Sequence, residues 1–388
     1  MEFIDLKRQR ARLEPELSQR IEAVLAHQSF IQGPEVAELE TALGAFSGAS
    51  HVITCANGTD ALQVALMALE IGPGDAVFVP SFTYTATAEA ILLLGATPVF
   101  VEVDEASFNV DLAAAEAEIA AVVDEGRLRA AALITVDLFG APVDGEAARA
   151  LCDRRGLKHI SDAAQSFGGR LDGRRVGTLA DITTTSFFPA KPLGCYGDGG
   201  ALFTEDAELA ARMRSICQHG KGAAKYDVVR VGLNSRLDTL QAAILLPKLA
   251  IFGDEVERRH QVAQAYTERL LGYVRTPLPP AAPDDRSAWA QYTVQIEAGQ
   301  LGGRDAVQAR LKAAGVPSAV YYPRPMHRQP AYAHLARRPL PVSDGLCERV
   351  LSLPMHPYLT DAEIDQVCAA LIGADTGALA PRSLETAA

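Results

Sequence analysis

Lys191 lies in the run Ser186-Phe187-Phe188-Pro189-Ala190-Lys191-Pro192-Leu193-Gly194, and Gly197-Asp198-Gly199-Gly200 follows it. An amine among apolar side chains is desolvated, so its pKa falls below the ~10.4 of a free lysine and it can form a Schiff base. The prolines give that amine a fixed position. An exposed loop lysine is the plainer reading. Asp162 follows the strand-like run LKHIS, with Gln165 three residues on. A carboxylate at a strand end can hold a pyridinium nitrogen protonated and make the ring an electron sink. Gln165 would then bond a ring oxygen. A helix-capping aspartate is the alternative. Asn57-Gly58-Thr59-Asp60 sits between a strand-like and a helix-like run. Its amides and the Thr59 hydroxyl either face a phosphate at a helix N-terminus or simply cap the helix. Phe82-Thr83-Tyr84 offers an aromatic that stacks on a flat ring or packs in the core.

These residues need a scaffold that brings strand ends together. The runs 51–55, 76–80, 97–101, 131–136, 157–161, 182–188 and 200–204 read as strands. Helical patterns at 85–94 and 144–155 and the run after Asn57 interleave with them, which predicts a largely parallel sheet covered on both faces. Ligands of such sheets bind at the carboxyl ends of the strands. Two amphipathic helices, 15–28 and 34–47, precede the sheet. A long helix is expected from Arg236 to about Leu271, kinked or split at Pro247. The Pro-rich stretch 276–285 precedes a strand at QYTVQI, a helix at 304–314, a short strand near 318–322 and a helix near 360–372. The fold class is therefore α/β. A large domain is expected over 1–245, a smaller α+β domain over 246–375 and a disordered tail over 376–388.

The 388 residues are 48% hydrophobic and 22% charged, a globular balance that suits two cores. No apolar run reaches the ~18 residues of a membrane span, and the charged N-terminus does not read as a secretory signal. A cytoplasmic location is the expectation. The six cysteines include no CxxC pair and read as thiols of a reducing compartment. The histidines show no metal-ligand spacing, so no metal is expected. With a net charge of −12 and dispersed basic residues, nucleic acid and anionic membranes are not expected partners.

ANGTDAL (56–62), PSFTYTATAEA (80–90), DAAQSFG (162–168), SFFPAKPLGCYGDGGA (186–201) and GLNSRLDTLQAA (232–243) together resemble the DegT/StrS family of sugar aminotransferases. The resemblance implies an aspartate-aminotransferase-like fold carrying pyridoxal 5'-phosphate. Lys191 would bind the cofactor as a Schiff base and then move protons as general base and acid. Asp162 would pair with the ring nitrogen, Gln165 with the ring hydroxyl, and Tyr84 with the ring face. Gly58, Thr59 and Ser186 would hold the phosphate, joined by Asn234 from the second subunit of a homodimer with shared sites. The usual reaction moves an amino group from L-glutamate to a nucleotide-linked keto sugar. Within the family the chain resembles the branch that aminates C3 of a UDP-linked 3-keto uronic acid bearing an acetamido group, for bacterial surface polysaccharide (O-antigen). In that branch an arginine and a His-Tyr pair approach the sugar. Arg236 matches the arginine, either pairing with the sugar carboxylate or forming a helix-start salt bridge. Tyr321-Tyr322 stands in place of the pair, with Arg324 and His327 nearby. C4 amination, a dTDP-3-keto-6-deoxyhexose substrate and a non-catalytic regulator or scaffold are the competing readings.

Overall fold

A computed structural model describes residues 1–224 and 226–373; the expected tail over 376–388 lies outside them. The strands are His51–Cys55 (β1), Asp75–Pro80 (β2), Thr97–Val101 (β3), Arg129–Val136 (β4), Lys158–Asp162 (β5), Arg170–Leu171 (β6), Arg174–Arg175 (β7), Ile182–Ser186 (β8), Gly200–Thr204 (β9), Tyr292–Gln295 (β10) and Val350–Leu353 (β11). Seven of them form one sheet in the order β1-β9-β8-β5-β4-β2-β3. β9 runs antiparallel to both neighbours and the other pairings are parallel, so the sheet is mixed and mostly parallel.

Every residue of β2 is buried, as expected for a parallel strand covered on both faces. Successive side chains point to opposite faces. Val77 and Val79 accordingly join one core with Leu62, Ala65 and Ile91, while Ala76 and Phe78 join another with Ile119 and Leu151. The first core is closed by the helices Gly58–Ala68, Ala86–Leu93 and Ala207–Cys217, the second by Leu112–Glu125 and Gly145–Arg155.

The helix Thr239–Leu270 runs unbroken through Pro247 and begins three residues later than expected. Ala242 through Leu249 are all buried, and this packing offsets the ~3 kcal/mol that an internal proline costs a helix. Its first half packs through Leu245, Leu249 and Phe252 against Phe167 and Phe203; its second half packs through Val262, Tyr266 and Leu270 against Tyr292 and Leu353. The expected junction at 245/246 falls inside this helix. β10 and β11 pair antiparallel within that later core. The expected strand near 318–322 reduces to a single bridge, Ala319 with Ser352. A helix not anticipated, Leu6–Leu13, is capped by Asp5, and Arg8 in it pairs with Glu363 at 2.8 Å. Among the described residues no helix is long and apolar enough to cross a membrane. All six cysteines are free and buried.

His159, 1% exposed within β5, shares a 3.0 Å hydrogen bond with Thr135. Burial holds its imidazole down at about 4. The unfolded chain takes up that proton near pH ~6.5, so this residue's cost to the fold is absent above that pH and grows as pH falls toward 4. We expect His159→Asn to lose ~3 kcal/mol less stability than the parent between pH ~6.5 and ~4, read from urea midpoints at each pH.

Candidate active site

Parallel pairing sets the site. Asp162 ends β5, in register with Thr184 of β8 and Val136 of β4. Ser186 ends β8, and Asn57-Gly58 follows β1 into the helix Gly58–Ala68. The strand ends thus converge where open α/β sheets hold ligands.

Asp162 is buried and accepts from the Thr87 hydroxyl at 3.0 Å and from the Ala164 amide at 3.2 Å. Burial pushes its carboxyl above the usual range, while the Lys191 charge and these two donors pull it back. Lys191 is half-buried, and burial lowers its amine against the attraction of Asp162. The two groups therefore sense one another in a dry region, where opposite charges interact strongly.

The Lys191 loop is closed tightly. The Lys191 amide donates to the Phe188 carbonyl and the Cys195 amide to the Phe187 carbonyl, both at 2.8 Å. A Cβ on Gly194 would come 2.5 Å from the Pro189 oxygen, so only glycine permits this closure. From the long helix, Lys248 donates to the Gly194 carbonyl at 2.6 Å and lies 4.1 Å from the Tyr196 ring centroid. Burial presses its amine down to about 8. Sequence reasoning missed Lys248; its signal was a charge on an otherwise apolar stretch of helix.

Gly58 and Ser186 are brought together: a Cβ on Gly58 would lie 2.7 Å from the Ser186 Cβ and 3.2 Å from its Oγ. The Asn57 side chain caps the helix, accepting from the Asp60 amide at 2.8 Å. Capping does not use up the helix start, because the carbonyls four residues before the Gly58 and Thr59 amides lie ahead of the helix. They face outward from a dipole that favours an anion.

Tyr84 is 56% exposed, whereas Phe82 is fully buried, so the core-packing reading applies to Phe82. The Tyr322 ring lies 6.3 Å from Tyr84 and 6.1 Å from Phe82. Gln165 accepts from the Phe139 amide at 2.6 Å, and its Nε2 faces the Tyr322 hydroxyl at 3.4 Å. Its oxygen is thus occupied by the chain, and its NH₂ is the group left for a ring oxygen. Tyr321 is half-buried against Phe3, at 6.3 Å between centroids.

Ser235 accepts from the Ala56 amide at 3.2 Å and anchors the 234–236 segment beside the Asn57–Asp60 turn of the same chain. Asn234 is exposed there and accepts from Arg236 at 2.5 Å. Arg236 makes no ion pair among the described residues, so the helix-start salt bridge is not formed. His327 is turned away, engaged by Ser81 at 2.7 Å and Asp344 at 3.4 Å. Thr87, a further residue not foreseen, lies one helical turn past Tyr84.

A desolvated amine, a buried carboxylate, an outward aromatic and an anion-binding helix start fit a flat, phosphorylated pyridine such as pyridoxal 5'-phosphate. Residues 11–372 match the profile of the DegT/DnrJ/EryC1/StrS aminotransferase family. The chain is 50% identical over 371 residues, 96% of its length and 99% of the relative's, to a UDP-2-acetamido-2-deoxy-3-oxo-D-glucuronate aminotransferase of Pseudomonas aeruginosa. It is 43% identical, over 94% of its length and 95% of the relative's, to a UDP-N-acetyl-3-dehydro-alpha-D-glucosamine 3-aminotransferase of Acidithiobacillus ferrooxidans. A crystal structure of a DegT DnrJ EryC1 StrS aminotransferase from Brucella abortus superposes with TM-score 0.93 at 53% identity, covering 96% of this chain and 99% of that one.

Borohydride treatment of the cofactor-loaded protein should fix pyridoxal phosphate to the peptide containing Lys191, seen by mass spectrometry. Lys191→Ala should lose that adduct and ~10²–10⁴-fold or more in kcat. An adduct on another lysine would refute the assignment.

Proposed function

The chain belongs to the DegT/DnrJ/EryC1/StrS aminotransferase family and is a pyridoxal-phosphate-dependent nucleotide-sugar aminotransferase, and on that premise we propose that it aminates C3 of a UDP-linked 3-keto uronic acid carrying an acetamido group. The amino donor in this reading is L-glutamate, and the product serves cytoplasmic synthesis of a surface polysaccharide such as O-antigen.

Bound at the site, pyridoxal phosphate supplies an electron sink for proton loss at the donor carbon and proton gain at the sugar carbon. Asp162 keeps the ring nitrogen protonated, with Thr87 and the Ala164 amide fixing the carboxylate that does so. Gln165 directs its NH₂ at the ring oxygen while Phe139 holds its carbonyl end. Gly58, Thr59 and Ser186 bind the phosphate. The Lys191 Nζ, lowered by burial, would take up the proton lost at the donor carbon and, in the second half of the reaction, deliver one at the sugar carbon. Tyr84 would stack on the ring face, and Tyr322, 6.3 Å from it between ring centroids, would stand on the sugar side.

Arg236 carries the substrate reading. Arg236 is half-buried as a residue; among the described residues its guanidinium bonds only Asn234, at an exposed position, and has no carboxylate partner. A planar fork in that state suits bidentate capture of a sugar carboxylate. The 43% identical relative named for an uncharged glucosamine derivative favours a second reading, the same C3 chemistry on a sugar lacking the carboxylate. Arg236→Met should lower kcat/KM by ~10–100-fold for the uronic acid and less than ~3-fold for the uncharged sugar, in a coupled glutamate assay. An equal loss on both sugars would favour the second reading.

The homodimer belongs to the same proposal. Val228, Val229 and Val231 are 68%, 54% and 83% exposed close to Asn234, an apolar surface of the kind that marks association. If Asn234 completes the partner's phosphate site, mixing inactive Lys191→Ala and Asn234→Ala proteins should yield activity above the sum of the two. No regain after subunit exchange, shown by mixed-tag pull-down, would place Asn234 in its own subunit's site.

A further inference from the structure

Behind the cofactor pocket lies a second buried carboxylate to which the reaction above gives no work. Asp137 is 2% exposed and follows β4, next to the strand that ends in Asp162. Its amide donates to the Asp162 carbonyl at 3.1 Å, and its carboxylate accepts from the Ser166 hydroxyl at 2.5 Å and the Val143 amide at 2.9 Å. Two residues on, the Phe139 amide holds the Gln165 side chain at 2.6 Å. Phe139 and Gly140 both take the left-handed region, at φ 60° and 108°. A Cβ on Gly140 would stand 2.6 Å from the Trp289 amide and 3.1 Å from the Gln165 carbonyl. The loop 137–140 is thus bonded to the turn 162–166 through Asp137 and Phe139.

We propose that Asp137 is a positioning residue for amino transfer: by gripping Ser166 and the Asp162 backbone it fixes the turn that aims Asp162 and Gln165 at the cofactor ring. The inference rests on the placement of those two residues in the cofactor site. Burial pushes the Asp137 carboxyl up to about 7, against the pull of Ser166 and Val143, and Asp162 adds to the push. A buried acid group whose side chain bonds only the Ser166 hydroxyl and the Val143 amide is placed to align the turn. Misalignment of about 1 Å at a reacting group costs on the order of 10²-fold in rate.

The test uses the cofactor-loaded holoenzyme. Asp137→Ala releases the Ser166 hydroxyl and the Val143 amide from the carboxylate and leaves the backbone bond to Asp162 in place. Asp137→Asn keeps them, its oxygen accepting from Val143 and its NH₂ donating to the Ser166 hydroxyl. We expect Asp137→Ala to lower kcat by ~10–100-fold and to shift the absorption maximum of the bound cofactor, with KM for the sugar within ~3-fold. Asp137→Asn should restore kcat to within ~3-fold of the parent. Ser166→Ala, which breaks only the side-chain grip, should show the same spectral shift with a smaller rate loss, and carries the test if Asp137→Ala does not fold. Parental spectrum and kcat in the folded Asp137→Ala and Ser166→Ala proteins would overturn the proposal. So would an Asp137→Asn loss equal to that of Asp137→Ala, because charge and not placement would then matter. A parent protein that shows no bound-cofactor band would instead undo the cofactor assignment itself.

Discussion

The site depends on removing two opposite charges from water without letting either neutralise the other completely. Desolvation raises the Asp162 carboxyl and lowers the Lys191 amine, while their mutual attraction opposes both changes. The same attraction is weaker in bulk solvent, because water screens opposite charges more than a desolvated layer does. The surrounding structure reads as a means of maintaining this state. Thr87 and the Ala164 amide hold the carboxylate in one orientation. The closed loop around Gly194 and its grip by Lys248 fix the backbone that carries the amine.

Lys248 repeats the theme at a distance. It is a cation 1% exposed, satisfied by one carbonyl and one aromatic face. An unpaired buried charge is costly, so its retention implies that the loop it holds is worth the cost. The long helix thereby reaches the Lys191 loop through Lys248, and the segment after the Pro-rich stretch reaches the 137–140 loop through Ala288, whose amide donates to the Gly140 carbonyl at 2.9 Å.

Much of the site was legible because its residues sit where chain direction changes. Lys191 announced itself by an apolar, proline-bounded run, Asp162 by its place at a strand end, and Asn57–Asp60 by turn chemistry before a helix. What escaped was held by tertiary contact. Thr87 lies on an ordinary helical turn, and only the approach of that helix to β5 brings its hydroxyl to Asp162. Lys248 lies within a helix whose neighbours gave it a new role. Pro247 misled for the same reason: local stereochemistry argued for a break, and burial on both sides of the residue overrode it. Arg236 looked like a helix-start residue, but the helix begins at Thr239 and leaves it in the preceding loop.

The helix Thr239–Leu270 has one more consequence, for dissecting the protein. At about 1.5 Å per residue its 32 residues span roughly 48 Å as one rod. One end is embedded with the aromatic cluster of Phe46, Phe167 and Phe252, the other with Tyr266, Tyr292 and Trp289. A cut at 245/246 would leave one fragment with a raw apolar groove and the other with a helix lacking its seat. Neither half is therefore a natural unit for separate expression, and a split reporter or domain exchange built on this scaffold should keep that helix whole.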